Sequence, residues 1–414
     1  MAGVYHVRSQ ARNSLEDLEY AMTLPPRIRR DFLLFFIAVS VAAFSQSVID
    51  SVFNNFLAES FSITDLQRGV LEFPRELPGF LVIFFSALFA FLSIRRMAAL
   101  ANLFAAVGIL CVGFFSIDFS FMLLWLFIFS TGQHLFMPLA STIGMEFADE
   151  GNAGSRLGQF NGAMNLAAIV GSFLIFIGFK YLDFSFSIAF TISAAGFLTV
   201  SALMFFMKPD KPLPARTRFK LRKEYRLFYW LNILFGTRKQ IFLTFAPWVL
   251  VKIFNQRTEV VATLLTAGGI IGIFFKPLLG RAIDRLGERF ILMAEAALLV
   301  FVCAGYGFAR DIFTEDVAMY IVFACYVIDQ LLMSVSMARA TYMRKIALSP
   351  ADISQTLTMG VTIDHIFSIT IALVSGAIWI TLGYQYVFLL AACIAFVNFF
   401  SASLVKIPSN RVPE

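Results

Sequence analysis

Within otherwise apolar stretches the sequence sets ionisable and amide side chains side by side: Arg238, Lys239 and Gln240 in succession, Asp329 with Gln330, Asp364 with His365, and Gln133 with His134. Gln46, Asp50 and Asn54 recur at four-residue intervals, which places them on one helical face, and Asn161 and Asn165 share the same spacing. These residue types suit binding and proton exchange. An arginine grips a carboxylate or phosphate with a two-pronged fork and a lysine supplies a compact charge, so the cation pair fits an anionic group on a solute. Asp50, Asp329, Asp364, His134 and His365 are groups whose proton affinity burial and neighbours can shift, as a proton-coupled cycle requires. No grouping of nucleophile, base and oxyanion donors is visible, so an enzyme is not expected. No GxxxxGK[ST] segment is present to cradle ATP phosphates, which leaves a proton or solute gradient as the energy source and calls for no cofactor. Cys111, Cys303, Cys325 and Cys393 each stand alone in apolar runs, without the spacing of a metal site, and read as buried free thiols.

The elements that position these side chains must cross a membrane. Of the 414 residues, 59% are hydrophobic and only 14% charged, which excludes a soluble globular domain, and 50 Phe exclude a disordered chain. A spanning helix takes about 20 apolar residues. Apolar runs bounded by charge or turn residues predict twelve, at 32–57, 67–92, 97–116, 119–145, 157–180, 184–207, 227–253, 258–279, 289–309, 317–341, 355–381 and 384–405. They lack the alternating polarity of a membrane barrel, so the fold class is all-α. In the second run Pro74 and Pro78 bracket Arg75 and Glu76, which read as an ion pair near an extracellular entrance. In the seventh run the cation pair lies roughly 18 Å from the start at about 1.5 Å per residue, near the bilayer midplane. Gly236 and Pro247 flank it, which predicts a local break in that helix. Adjacent residues point about 100° apart, so one cation is expected to face a cavity while the other pairs with Asp329 or Asp364. Gly268, Gly269 and Gly272 form a small face suited to close helix packing.

Lys and Arg fix the orientation. Most of the 33 fall before Asp31, at Arg95 and Arg96, at Arg156, in the linker, at Arg281, Arg285 and Arg289, at Arg339, Arg344 and Lys345, and at Lys406 and Arg411. Those loops lie on one side of a twelve-span chain, so both termini are expected in the cytoplasm. The net charge of +6 is then a topology signal, and no soluble basic face for nucleic acid is present. The first thirty residues are polar and lack the apolar core of a signal peptide. The absence of any N-x-S/T sequon fits a bacterial plasma membrane. Residues 208–226, basic and proline-bearing, separate a six-span bundle at 32–207 from a second at 227–405, with tails at 1–31 and 406–414.

After the eighth span comes GRAIDRLGER, in which Gly280, Asp284, Arg285, Gly287 and Arg289 follow the order G-x-x-x-D-R-x-G-x-R. This resembles the cytoplasmic loop signature of the major facilitator superfamily. Its glycines permit positive φ and close approach, its aspartate can cap helix amides, and its arginines can meet acids or helix carboxyl ends. The copy expected between the second and third spans is degraded: at an offset of 193 residues Arg96 matches Arg289, but Ala87, Phe91 and Ile94 stand opposite Gly280, Asp284 and Gly287. The resemblance implies twelve helices in two pseudo-symmetric bundles that alternate around a central cavity. It also implies that the first, fourth, fifth, seventh, tenth and eleventh helices line that cavity, which are the helices holding the deep polar residues.

Such residues cost about 2.5–3.5 kcal/mol each near the bilayer centre unless they find a cavity or a partner. The expected function is therefore secondary active transport of a small polar, anionic solute, coupled to protons, by a monomer in the lipid bilayer. An exporter of drugs or lipids on the same fold is the alternative within the class. A non-transporting sensor or assembly partner is the alternative outside it.

Overall fold

The computed structural model describes residues 26–89, 91–147, 153–208 and 221–407. The N-terminal tail before residue 26, linker residues 209–220, the C-terminal tail from 408 and the side chain of Ala87 lie outside the described residues. What is described is helical, with no β-strand. The helices are α1 (Pro26–Phe61), α2 (Asp65–Val70), α3 (Glu72–Leu88), α4 (Ile94–Phe114), α5 (Phe119–Glu146), α6 (Ala153–Tyr181) and α7 (Phe186–Phe206). They continue as α8 (Arg226–Lys252), α9 (Thr258–Ile312), α10 (Glu315–Leu332), α11 (Ser336–Ile346), α12 (Pro350–Leu382) and α13 (Tyr384–Ser403).

Among the described residues, nine helices are long and apolar enough to cross a membrane. The other crossings expected from sequence correspond to α8, whose apolar run is diluted by Arg238 and Lys239, to the α2 and α3 pair, and to the second segment of α9. Local chemistry sets the ends. Thr64 and Gln67 form a reciprocal capping box at α2, Ser93 accepts from Arg96 N–H at α4, and Asp118 accepts from Ser120 and Phe121 N–H at α5. Each such cap contributes about 1 kcal/mol. The eighth and ninth spans run on as one hydrogen-bonded helix, interrupted only by Gly287 at φ 80° and ψ 158°. That region of backbone space is essentially restricted to glycine.

Three expectations change. Helix α8 is unbroken from Arg226 to Lys252, because Pro247 sits inside it without ending it. Cys303 and Cys325 are buried, but Cys111 is half-buried and Cys393 exposed. In the GRAIDRLGER segment Gly287 makes the bend, while Gly280 meets no neighbour that a Cβ would touch and Asp284 lies exposed on the helix ahead of the bend.

Contacts divide the chain into two compact units, one of Met1–Asp50, Val82–Ile175 and Asp183–Ala215, the other of Ser51–Leu81, Phe176–Leu182 and Arg216–Glu414. In the first, α4 packs on α5 and α7. Lipid offers apolar side chains the same environment as a neighbouring helix, so association rests on close approach and hydrogen bonds. Gly132 leaves no room for a Cβ against the backbone of Ala101 and Ala105. Ser47, Ser193 and Ser201 donate across helices to the carbonyls of Ala168, Ser45 and Ala99 at 2.7, 3.0 and 2.8 Å. The basic residues of the degraded loop are engaged. Arg95 donates to the Lys208 carbonyl at 2.6 Å and pairs with Glu146 at 2.8 Å, and the Arg96 guanidinium lies 3.7 Å over the Phe205 ring while donating to the Phe205 carbonyl. Both contacts place cations at the carboxyl end of α7, where the helix dipole favours them.

In the second unit α9 packs on α10 and α13, and α12 packs on α8 and α2. Phe242, Tyr306 and Phe388, from α8, α9 and α13, form a buried aromatic cluster, with the Tyr306 and Phe388 rings stacked at 4.7 Å. Ahead of the apolar part of α12, Asp352 accepts from Tyr225 Oη at 2.8 Å and pairs with Arg222 at 3.0 Å, and Tyr225 Oη accepts from Leu348 N–H. Burial opposes the charge on Asp352, but hydrogen bonds from Tyr225 and Ser349 and the Arg222 charge outweigh it and hold the carboxyl below its usual range. Burial pushes the Tyr225 hydroxyl up.

Candidate functional site

Three consecutive residues of α8 reach three different helices. Because each step turns the side chain about 100°, Arg238 points to α10, Lys239 to α12 and Gln240 to α3. Arg238 Nη2 lies 2.9 Å from Asp329 Oδ1, with the two side chains 3% and 8% exposed. The contact is off the hydrogen-bond direction, so neither Arg238 Nη2 nor Asp329 Oδ1 gains a hydrogen bond from it. Arg238 Nη1 instead meets Met333 Sδ at 3.2 Å, and the guanidinium faces the Phe242 ring at 5.3 Å. Lys239 Nζ donates to Asp364 Oδ2 at 2.5 Å; these side chains are 20% and 15% exposed. Asp364 also accepts from Ser368 Oγ at 3.3 Å. Gly236 makes the Lys239 pairing possible, because a Cβ there would run into Asp364 Oδ1. Gly236 therefore allows close approach within a continuous helix and does not break it.

Gln240 Nε2 donates to Glu72 Oε2 at 2.9 Å and Thr244 Oγ1 at 3.0 Å. Glu72 is fully buried and gathers two further donors, Arg68 Nη1 at 2.7 Å and Arg75 Nη1 at 3.3 Å. Arg68, also fully buried, donates through Nε to Asn54 Oδ1 at 3.1 Å. Arg75 thus lies against Glu72, and Glu76 against His365 Nδ1 at 2.7 Å. A second buried pair, Arg339 with Glu295 at 3.3 Å, lies between α11 and α9, and the Arg339 guanidinium stacks 3.5 Å above the Phe235 ring. Beside it is a cavity of about 190 Å³ lined by Phe228, Asn232, Phe235, Ser336, Arg339, Ala340, Leu357, Gly360 and Asp364.

In the other unit Gln46 donates to Asp50 Oδ1 at 2.9 Å and accepts from Gln133 Nε2. His134 Nδ1 lies 3.0 Å from Ser130 Oγ. Asn161 is exposed and Asn165 half-buried. Gln330 packs against Gly268, where the small face of α9 admits its amide. Of the loop motif, Arg285 and Arg289 are exposed, whereas the adjacent Glu288 is buried and pairs with Lys345 at 2.6 Å.

Sequence reasoning passed over Arg68, Glu72, Glu295 and Arg339. Arg339 was expected in a loop, and Arg68 stands at the start of the second run. The i,i+4 spacing of Arg68 and Glu72 was an available signal, and Glu295 stands by itself in the apolar run ILMAEAALLV, where an unpaired acid would be untenable.

Residues 35–362 match the family model of the Major Facilitator Superfamily. No curated protein is matched at the level of sequence. Among solved structures the chain is similar to a mutant form of the nucleoside transporter NupG, with TM-score 0.72, 13% identity, and 89% of this chain and 98% of that chain covered. It is similar to a D-xylose-proton symporter, with TM-score 0.69, 13% identity and coverage of 92% and 98%. An auto-inhibited POT family peptide transporter gives TM-score 0.69, 13% identity and coverage of 93% and 99%.

Proposed function

The chain belongs to the major facilitator superfamily, and on that premise we propose that it carries a small anionic solute across the membrane by alternating access, coupled to protons through Asp364. A transporter with twelve membrane helices, and not an enzyme, is what the family and fold indicate. The finer reading rests on one observation: of the two midplane cations, Lys239 has an accessible partner, and that partner lines a cavity.

The pair of Lys239 and Asp364 is neutral as it stands. An anion entering the cavity adds a negative charge beside the carboxylate, in surroundings where an uncompensated charge costs several kcal/mol. If Asp364 takes up a proton, Lys239 is left as the counter-charge and neutrality is restored. One anion and one proton then bind together, and release of either on the far side favours release of the other. Arg238, whose partner is almost fully buried, is assigned to holding α8 on α10. The six-helix bundles at 32–207 and 227–405, the cytoplasmic placement of both termini and of 208–226, the bacterial inner membrane and the monomeric state belong to the same reading.

Uptake of labelled organic anions into proteoliposomes under an imposed pH gradient tests it. Lys239→Ala is expected to abolish uptake. Asp364→Asn is expected to retain exchange of anion for anion while losing the response to the gradient. Gradient-driven uptake by Asp364→Asn at the wild-type rate would overturn the coupling assignment.

A further inference from the structure

Two residues that line the α8, α11 and α12 cavity each carry a buried donor with no acceptor among the described residues. Arg339, 3% exposed, uses Nη1 for Glu295 and leaves Nη2 without a partner. Asn232 Nδ2 is likewise buried without a partner. Nine in ten or more of such buried groups are satisfied in folded proteins by protein, water or a ligand, so two on one wall offer a place for a bound acceptor. Neither group is loose. The guanidinium is clamped between Glu295 and the face of Phe235. The Asn232 amide is held against Gly360, where an added Cβ would come within 2.9 Å of Nδ2.

The polarity of the wall is one-sided. Its orphan groups are donors only, while its carboxylate, Asp364, already accepts from Lys239 and Ser368. A carboxylate accepts and does not donate, which matches these donors, whereas a sugar's hydroxyls also donate. Apart from Ser336 and Gly360, the remaining wall, Phe228, Phe235, Ala340 and Leu357, is apolar and partly aromatic. At about 190 Å³ the space is below the roughly 300–1,000 Å³ of pockets for drug-sized ligands.

We propose that this cavity binds a small organic monocarboxylate, its carboxylate held by Arg339 Nη2 and Asn232 Nδ2 and its apolar body against Phe228, Phe235 and Leu357. The assignment rests on the transport reading for its purpose, naming the class of solute, but not for its chemistry. Asn232 and Arg339 are then the residues that select a carboxylate. Lys239, behind Asp364, supplies net charge without touching the solute.

The test is equilibrium binding to the purified, full-length protein by titration calorimetry, with benzoate and butyrate as probes and inorganic phosphate and xylose as comparators. Benzoate or butyrate is expected to bind, with phosphate and xylose at least tenfold weaker. Asn232→Leu, which keeps the size and removes the donor, is expected to weaken carboxylate binding about tenfold. The paired change Arg339→Gln with Glu295→Gln, which removes both charges together, is expected to weaken it further. Unchanged carboxylate affinity in folded Asn232→Leu, or tighter binding of xylose or phosphate, would overturn the proposal. Should the variants not fold, Ala340→Cys in a Cys393→Ala background reports on the otherwise native wall. Benzoate is expected to slow maleimide labelling at residue 340, and labelling at the same rate with saturating benzoate refutes the site. Variant-sensitive binding without flux in proteoliposomes would keep this site and remove the transport mechanism; flux that ignores Asn232 and Arg339 would do the reverse.

Discussion

Replacing Asp329 with leucine separates a structural ion pair from an exchangeable one. Arg238 and Asp329 are 3% and 8% exposed, so removing the acid leaves a guanidinium that water cannot reach. Breaking a buried pair from one side costs about 3–5 kcal/mol, because the remaining charge is stranded. Arg238 Nε and Nη2 already lack hydrogen bonds, and Met333 Sδ is a weak acceptor, so no local group takes over. Removing both charges as Arg238→Met with Asp329→Leu leaves nothing stranded, and such replacements are near neutral or stabilising. The pair of Lys239 and Asp364 behaves differently. Its side chains are 20% and 15% exposed and Asp364 adjoins the cavity, so after Lys239→Met the acid can take a proton or water, and the cost falls to about 1 kcal/mol. Thermal unfolding of the purified protein in detergent reads both effects. At roughly 2–4 °C per kcal/mol, Asp329→Leu is expected to lower the midpoint by on the order of 10 °C, the double variant to restore it, and Lys239→Met to lower it by about 3 °C. Restored stability should come with restored uptake. An Asp329→Leu protein as stable as the parent, or a double variant no better than the single, would refute the assignment of Arg238 to architecture.

Gly236→Ala drives a Cβ into Asp364 Oδ1; an overpacking cost of about 1–3 kcal/mol is expected, together with loss of proton-driven uptake, checked by unfolding midpoint and by flux. Gly287→Ala is expected to cost about 1–3 kcal/mol for the backbone alone, since φ 80° with ψ 158° does not suit a side chain, whereas Gly280→Ala, with nothing near its Cβ, should stay within about 0.5 kcal/mol of the parent or gain stability; parallel melts compare them. Asp352 has a carboxyl held below its usual range, so its contribution is fully present above about pH 4 and is lost as pH falls through the lowered value. Protection from hydrogen exchange at the start of α12, corrected for the intrinsic rate, should therefore fall under acid in the parent and change less with pH in Asp352→Asn.

The crossings were legible because hydropathy and length specify them, although the second span divides between α2 and α3 at Leu71, ahead of Pro74 and Pro78, which lie within α3. Pairing was legible only as a necessity. That one of Arg238 and Lys239 needs an acid follows from the cost of burial, but that both take one, and which acid takes which cation, depends on helix rotation, which a run of apolar letters does not encode. Gly236 was misjudged for a related reason: a glycine next to charges reads as a weak point, whereas here it makes room for the carboxylate of another helix. Glu72 escaped notice because its value lies in three donors from two other helices and its own neighbourhood, a convergence visible only after folding. The cavity beside Arg339 had no signature at all, since its wall draws on residues over a hundred positions apart.

The triplet on α8 bears on how this helix can evolve. Because Arg238, Lys239 and Gln240 each engage a different neighbour, inserting or deleting one residue anywhere between Arg226 and Gly236 would rotate all three by about 100° and exchange every partner at once: an insertion would turn arginine to α12 and lysine to α3, a deletion lysine to α10 and glutamine to α12. Point changes can be compensated at the facing acid, but a frame change in the helix cannot. Lineages of this transporter should therefore vary freely in the identity of α8 residues and hardly at all in their number, with length differences collecting in the linker that precedes it.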